Sequence, residues 1–119
     1  QTWSPDLDND MNNKFVSDYK AAHGAYPSFY AAQAYDTMMA IDHAVRESGS
    51  TDAGAMRAVL AEGGIPTTRG TLAMNTNQFP IQNIYLREVV LDADGVATTK
   101  VIGTVFEDHS DAYASECKF

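Results

Sequence analysis

The chain has 119 residues, with 8 Lys plus Arg against 16 Asp plus Glu, a formal charge of −8 and a pI near 4.5. That balance repels a phosphate backbone and excludes nucleic acid as a partner. Apolar residues make up 45%, within the range of globular domains, but Leu, Ile, Val and Phe together account for only 23 of 119. Much of the rest is Ala, which lets helices lie close together and buries little area itself, so the chain is expected to lack a self-sufficient core.

The segment from Gln1 to Asn9 is polar, carries Pro5 and reads as extended. Asn9 or Asp10 caps a first predicted helix in which Met11, Phe15, Val16, Tyr19 and Ala22 recur at helical spacing, and Gly24 ends it. Ser28 caps the longest helix, running to about Glu47, with Ala31, Ala34, Tyr35, Met38, Ile41 and Val45 on one stripe. A second stripe of Ala32, Met39 and His43 widens its inward face. Thr51 or Asp52 caps a third helix, with Ala55, Met56, Val59 and Leu60 inward, and Gly63 and Gly64 stop it.

After Thr67 the period changes. Thr71 to Asn75 predicts a short strand, and Ile84 to Leu91 and Val96 to Phe106 flank the turn Asp92-Ala93-Asp94-Gly95 as a hairpin. The polar tail from Glu107 to Phe119 is expected to wrap the surface. Three Ala-rich helices with broad inward faces normally cover a parallel sheet, yet no continuous apolar run lies between them. Either the helices pack on one another and on the hairpin, or the sheet belongs to chain preceding Gln1, and composition favours the second. The opening on Gln1 fits a processed or trimmed product or a fragment. No run approaches the ~20 apolar residues of a membrane span, and no leader of signal-peptide form is present.

Constellations that carry chemistry are few. Asp6, Asp8 and Asp10 alternate like the first ligands of a calcium loop, but Met11 and Ser17 stand where Gly and a bidentate Glu are needed, so a helix-capping acidic turn is the better account. His23, His43 and His109 share no zinc spacing, and no nucleophile elbow, phosphate loop or Cys-His pair occurs, so no metal, cofactor or catalytic residue is expected. Arg69 and Arg87 are open to two readings, anion contacts or surface ion pairs. Around the start of the long helix, Tyr26 to Gln33 set aromatic rings and an amide where helix N–H groups favour a small anion; the alternative is that Phe29 and Tyr30 are core and Gln33 is solvated. Cys117 is the single cysteine, hence a free thiol or half of a bridge to a partner elsewhere.

Several segments, in order and spacing, resemble the periplasmic solute-binding proteins of ABC transporters that take branched-chain amino acids and related molecules. They are Trp3 with Pro5-Asp6-Leu7-Asp8-Asn9, Phe15-Val16, Pro27-Ser28-Phe29-Tyr30-Ala31-Ala32-Gln33 with Tyr35-Asp36, and Thr68-Arg69-Gly70. They continue through Asn77, Pro80-Ile81-Gln82-Asn83, Tyr85-Leu86-Arg87-Glu88-Val89, Ala112-Tyr113-Ala114 and Cys117-Lys118. The resemblance implies an α/β fold of two lobes, of which this chain is similar to the C-terminal portion. Residues 1–80 would be the helical part of the first lobe and residues 81–119 the hairpin and tail of the second, with the parallel sheet supplied by upstream chain.

It implies a non-enzymatic, periplasmic role: capture of a small solute, an amino acid or an aromatic or aliphatic carboxylate, for delivery to a membrane permease. A ligand-sensing domain of a receptor or regulator shares the same fold and is the alternative, and a free-standing domain that binds a protein partner is a third reading. Carried over by position, the cleft residues are Tyr30, Ala31, Ala32 and Gln33. The family's bulky aromatic falls at Ala32, or at Tyr30 with a shift of register. An oxidising compartment makes Cys117 half of a disulfide to a cysteine in the remainder of the chain.

Overall fold

The computed structural model describes residues 1–117. Three helices come first, α1 (Asp10–His23), α2 (Phe29–Ser48) and α3 (Ala53–Glu62), followed by strands β1 (Ile65–Thr67), β2 (Gly70–Met74), β3 (Pro80–Leu91) and β4 (Ala97–His109), and a single 3₁₀ turn at Ala114–Glu116. The helix ends are set by local chemistry. The side chains of Asn9, Ser28 and Asp52 accept from backbone N–H groups of the first turns of α1, α2 and α3. At the end of α3 the chain passes so close to β2 that a Cβ on Gly63 would lie 3.2 Å from the Met74 nitrogen, and its φ of +77° is also one that side chains rarely adopt.

The four strands form one antiparallel sheet in sequence order, β1-β2-β3-β4, and every strand pairing among the described residues is antiparallel. The tight register Ile65↔Leu72 through Thr67↔Gly70 makes β1 and β2 a small hairpin against α2, while β3 and β4 form a long one from Gln82↔His109 to Leu91↔Ala97. β2 joins β3 at Ala73↔Ile81, so the sheet runs unbroken through residue 80.

The core is small and aromatic. Trp3, Phe15 and Ala32 are buried, with Leu7, Val16, Tyr19, Phe29, Ala31 and Tyr35 packed around them. Trp3 meets Phe15 edge-on with centroids 6.3 Å apart. The N-terminal segment, expected to be extended, instead turns at Pro5-Asp6, where the Leu7 N–H donates to the Ser4 carbonyl at 3.2 Å, and Trp3 and Ser4 are fully buried, held by Asn12. The Asn12 Oδ1 accepts from the Trp3 indole N–H at 2.7 Å, and its Nδ2 donates to the carbonyls of Ser4, Pro5 and Leu7. Farther along, the segment crosses the long hairpin: Asp6 accepts from the Val101 N–H, and Gln1 exchanges backbone hydrogen bonds with Tyr85.

For α2 and for the tail the expectation is corrected, and for α3 it is met. The inward stripe of α2 is Ala32, Asp36 and Ala44, whereas Met38 and Ile41 are 63% and 40% exposed. Spacing alone placed the larger apolar residues inward, but small residues and a paired carboxylate let the β1–β2 hairpin approach. α3 has no fully buried residue, but its half-buried face is the expected one, Ala55, Met56, Val59 and Leu60, of which Met56 and Leu60 line an open apolar groove. The segment Glu107 to His109, taken as tail, continues β4, because its carbonyls and N–H groups still pair with β3 at Gln82. The positions of Lys118 and Phe119 lie outside the described residues.

Candidate functional site

The N-terminus of α2 distributes the four candidate residues in different directions. Ser28 Oγ accepts from the Ala31 N–H at 3.2 Å and fixes the first turn. From that turn Ala31 packs on the aromatic core, and Ala32, 1% exposed, is enclosed within it beside Trp3 and Phe15. Tyr30 is 81% exposed, its ring 5.8 Å from that of Phe29. Gln33 is half-buried and opens on a recess of about 200 Å³ between α2 and the β1–β2 hairpin, whose apolar wall includes Ile65, Leu72 and Pro80. Tyr30 does not line that recess.

The floor of the recess is a buried ion pair. Asp36 accepts from the Thr68 N–H at 2.7 Å, from the Thr68 hydroxyl at 3.1 Å and from Arg69 Nε at 3.0 Å, with the two charged side chains only 4% and 9% exposed. Arg69 Nη1 donates on to Gln82 Oε1. One carboxylate thus ties α2 to the β1–β2 turn, and one guanidinium carries the tie to β3. Of the two readings open for Arg69, the structure makes it an ion pair, a buried one. The available signal was Asp36 itself, an acid in register with Ala32, Ala40 and Ala44 at four-residue intervals, flanked by side chains too small to shield it without a partner.

A second recess of about 350 Å³ lies between the α2 N-terminus and the long hairpin, bounded by Trp3, Ser28 and Phe29 on one side and Arg87 and Thr98 on the other. Arg87 donates to the Thr99 hydroxyl at 3.3 Å. The hairpin tip is held against α1. Asp92 Oδ2 accepts from the Tyr26 hydroxyl at 3.0 Å and faces Lys20 at 3.7 Å, while Lys20 sits 4.0 Å from the Tyr26 ring centre. Hydrogen bonding to the Val96 N–H, chiefly, with the Tyr26 and Asp94 contacts and Lys20 adding to it, holds the Asp92 carboxyl below the usual carboxylate range.

Among the described residues no group of three or more His, Cys, Asp or Glu is placed to hold a metal. Asp6 and Asp8 are instead occupied by protein donors. No helix is long and apolar enough to cross a membrane. Cys117 is exposed and unpaired among the described residues.

A fold of this kind has counterparts. Residues 1–96 match the family model described as a periplasmic binding protein. An ABC transporter solute-binding protein from R. palustris, solved with benzoate, superposes with a TM-score of 0.80 at 29% identity, over 99% of this chain and 32% of its own. An ABC transporter substrate-binding protein from Sphaerobacter thermophilus gives 0.73 at 21% identity, over 89% and 30%. A leucine binding protein from Thermotoga maritima gives 0.68 at 20%, over 85% and 29%. Comparison with curated protein sequences returned no match. The chain therefore spans about a third of the length of the solved structures it resembles, 32% of the R. palustris protein. On the family match over residues 1–96 and the superposition across nearly all of its length, the chain belongs to the periplasmic binding protein family.

Proposed function

We propose that the chain forms part of a two-lobed solute-binding component of an ABC transporter, which captures a small organic solute in the periplasm and hands it to a membrane permease. The observation that carries this reading is the likeness, at 29% identity and over 99% of the chain, to a solute-binding protein that holds benzoate. Its role is capture rather than catalysis. The solute is an amino acid or an aromatic or aliphatic carboxylate, and the passage between lobes lies near residue 80, where β2 gives way to β3.

In this reading the exposed Met38 and Ile41 of α2 pack on a parallel sheet supplied by the remainder of the two-lobed protein. Tyr30, exposed at the first turn of α2, offers an aromatic face to the solute, and Gln33 offers an amide from the neighbouring recess. Ala31 and Ala32 set the position of that turn through their packing. The test is calorimetric titration of the complete protein with benzoate and with leucine. One of the two is expected to bind saturably, and Tyr30→Ala and Gln33→Ala should each weaken that binding by about 1 to 3 kcal/mol, the range for a lost polar or aromatic contact. Binding unchanged by both substitutions would remove Tyr30 and Gln33 from the site.

A further inference from the structure

The long hairpin is not uniform along its length. At its base it is anchored twice, where Gln1 exchanges backbone hydrogen bonds with Tyr85 and Arg69 donates to Gln82. The pairing then slips: Leu86 pairs with Gly103 and Arg87 with Val101, so Ile102 stands opposite no residue of β3. A bulge of this kind is where an antiparallel ladder bends. Beside it the Val101 N–H is held by Asp6 at 2.9 Å. From Glu88↔Lys100 onward the ladder is regular again, and the tip is docked on the helices by one carboxylate. Asp92 Oδ1 accepts from the N–H groups of Asp94 and Val96 and closes the turn, while Oδ2 takes the Tyr26 hydroxyl and faces Lys20. Ser4 Oγ lies 3.4 Å from the Thr99 carbonyl but gives its proton to Asp6.

Beneath this distal half the packing is incomplete. The recess of about 350 Å³ at the α2 N-terminus lies there, as does one of about 420 Å³ on the α1 side, and every hairpin residue that lines either falls within residues 87–100, beyond the bulge. Thr98 lines both, and its buried Oγ1 makes no hydrogen bond among the described residues. A hydroxyl left so disfavours the docked state, because water satisfies it once the hairpin lifts. We propose that residues 87–100 form a flap, pivoting at the Ile102 bulge and latched by Asp92 on Tyr26 and Lys20, that opens and closes access to these two recesses. Two opposed contributions of similar size act on it: the charge-assisted bond from Tyr26 holds it shut, and the partnerless Thr98 hydroxyl favours opening. Because the same carboxylate closes the turn through its other oxygen, the tip stays folded when it undocks. The flap is independent of the solute-capture reading, since neither Tyr30 nor Gln33 lines a recess beneath it.

The experiment is amide relaxation dispersion by NMR on the complete protein, residue by residue along β3 and β4. Exchange at one common rate is expected across residues 87–100, with the base of the hairpin silent. Tyr26→Phe removes the donor of the latch and leaves the Asp92–Val96 turn bond, so the open population should rise about tenfold, as for losing a hydrogen bond to a charged group, while the Val96 amide keeps its hydrogen-bonded shift. Thr98→Val keeps the shape of the side chain and removes the partnerless hydroxyl, so it should lower the open population several-fold. Exchange spread evenly over base and tip, exchange absent from both the wild-type and the Tyr26→Phe protein, an open population unchanged by Tyr26→Phe, or one raised by Thr98→Val would each overturn the proposal.

Discussion

Asn12 closes the N-terminal segment over α1 with one acceptor and two donors, all engaged and all out of water. Asn12→Ala leaves the Trp3 indole N–H and the carbonyls it served without partners, so a loss of about 1 to 3 kcal/mol is expected in denaturant unfolding, at the upper end because several groups are orphaned together. Asp92 supports a pH prediction. Its carboxyl is held below its ordinary value in the folded chain, so the stabilisation it gives is present above the unfolded carboxylate pKa, about 3.9, and is lost as pH falls through the folded value. Amide exchange at the hairpin tip should accelerate as pH falls below about 4, after correction for intrinsic rates, and Asp92→Asn should remove that pH dependence. Sequence made the turn chemistry of Asp92 legible, because a tight turn is a local event. The roles of Asn12 and Asp36 were not: Asn12 finds its partners only once the segment from Trp3 to Leu7 folds back over α1, and Asp36, though an acid among alanines, has its partner Thr68 32 residues away.

The helices show the same division between local and distant causes. Caps and stops at Asn9, Gly24, Ser28 and Asp52 were readable because each is a bond or a backbone angle within a few residues. Which face of α2 turns inward was not, since the covering hairpin lies beyond α3 in the chain and approaches along small residues rather than large apolar ones. β1 escaped notice because it is three residues long and contains Pro66, and the extension of β4 because Glu107, Asp108 and His109 look like tail. At this scale Ser28→Ala should cost about 1 kcal/mol through the lost cap. Asp36→Ala should cost more, about 3 to 5 kcal/mol, by leaving Arg69 charged and unpaired in the interior. Thermal unfolding of the two variants side by side checks the order, and equal losses would mean that the ion pair does not hold the β1–β2 hairpin on α2.

As a whole the molecule is thin and open. Its radius of gyration is 15.9 Å and its extents 47 × 32 × 18 Å, against about 13.5 Å expected for a compact domain of this length. Apolar side chains on the long hairpin, among them Val89 at 74% and Leu91 at 69%, stand exposed, as do those on α2. That shape agrees with the sparse content of large aliphatic residues and with relatives about three times longer. We propose that Cys117, exposed near the tail, pairs with a cysteine outside this sequence. Mass spectrometry of the complete, non-reduced protein should find Cys117 protected from alkylation, and removing the bridge should lower stability by about 2 to 5 kcal/mol; alkylation without prior reduction would show a free thiol. The central claim, that this chain serves solute capture, is tested most directly by calorimetry of the complete protein against a panel of amino acids and aromatic and aliphatic carboxylates. At least one member should bind saturably with one solute per protein, and a panel in which none binds would contradict the account.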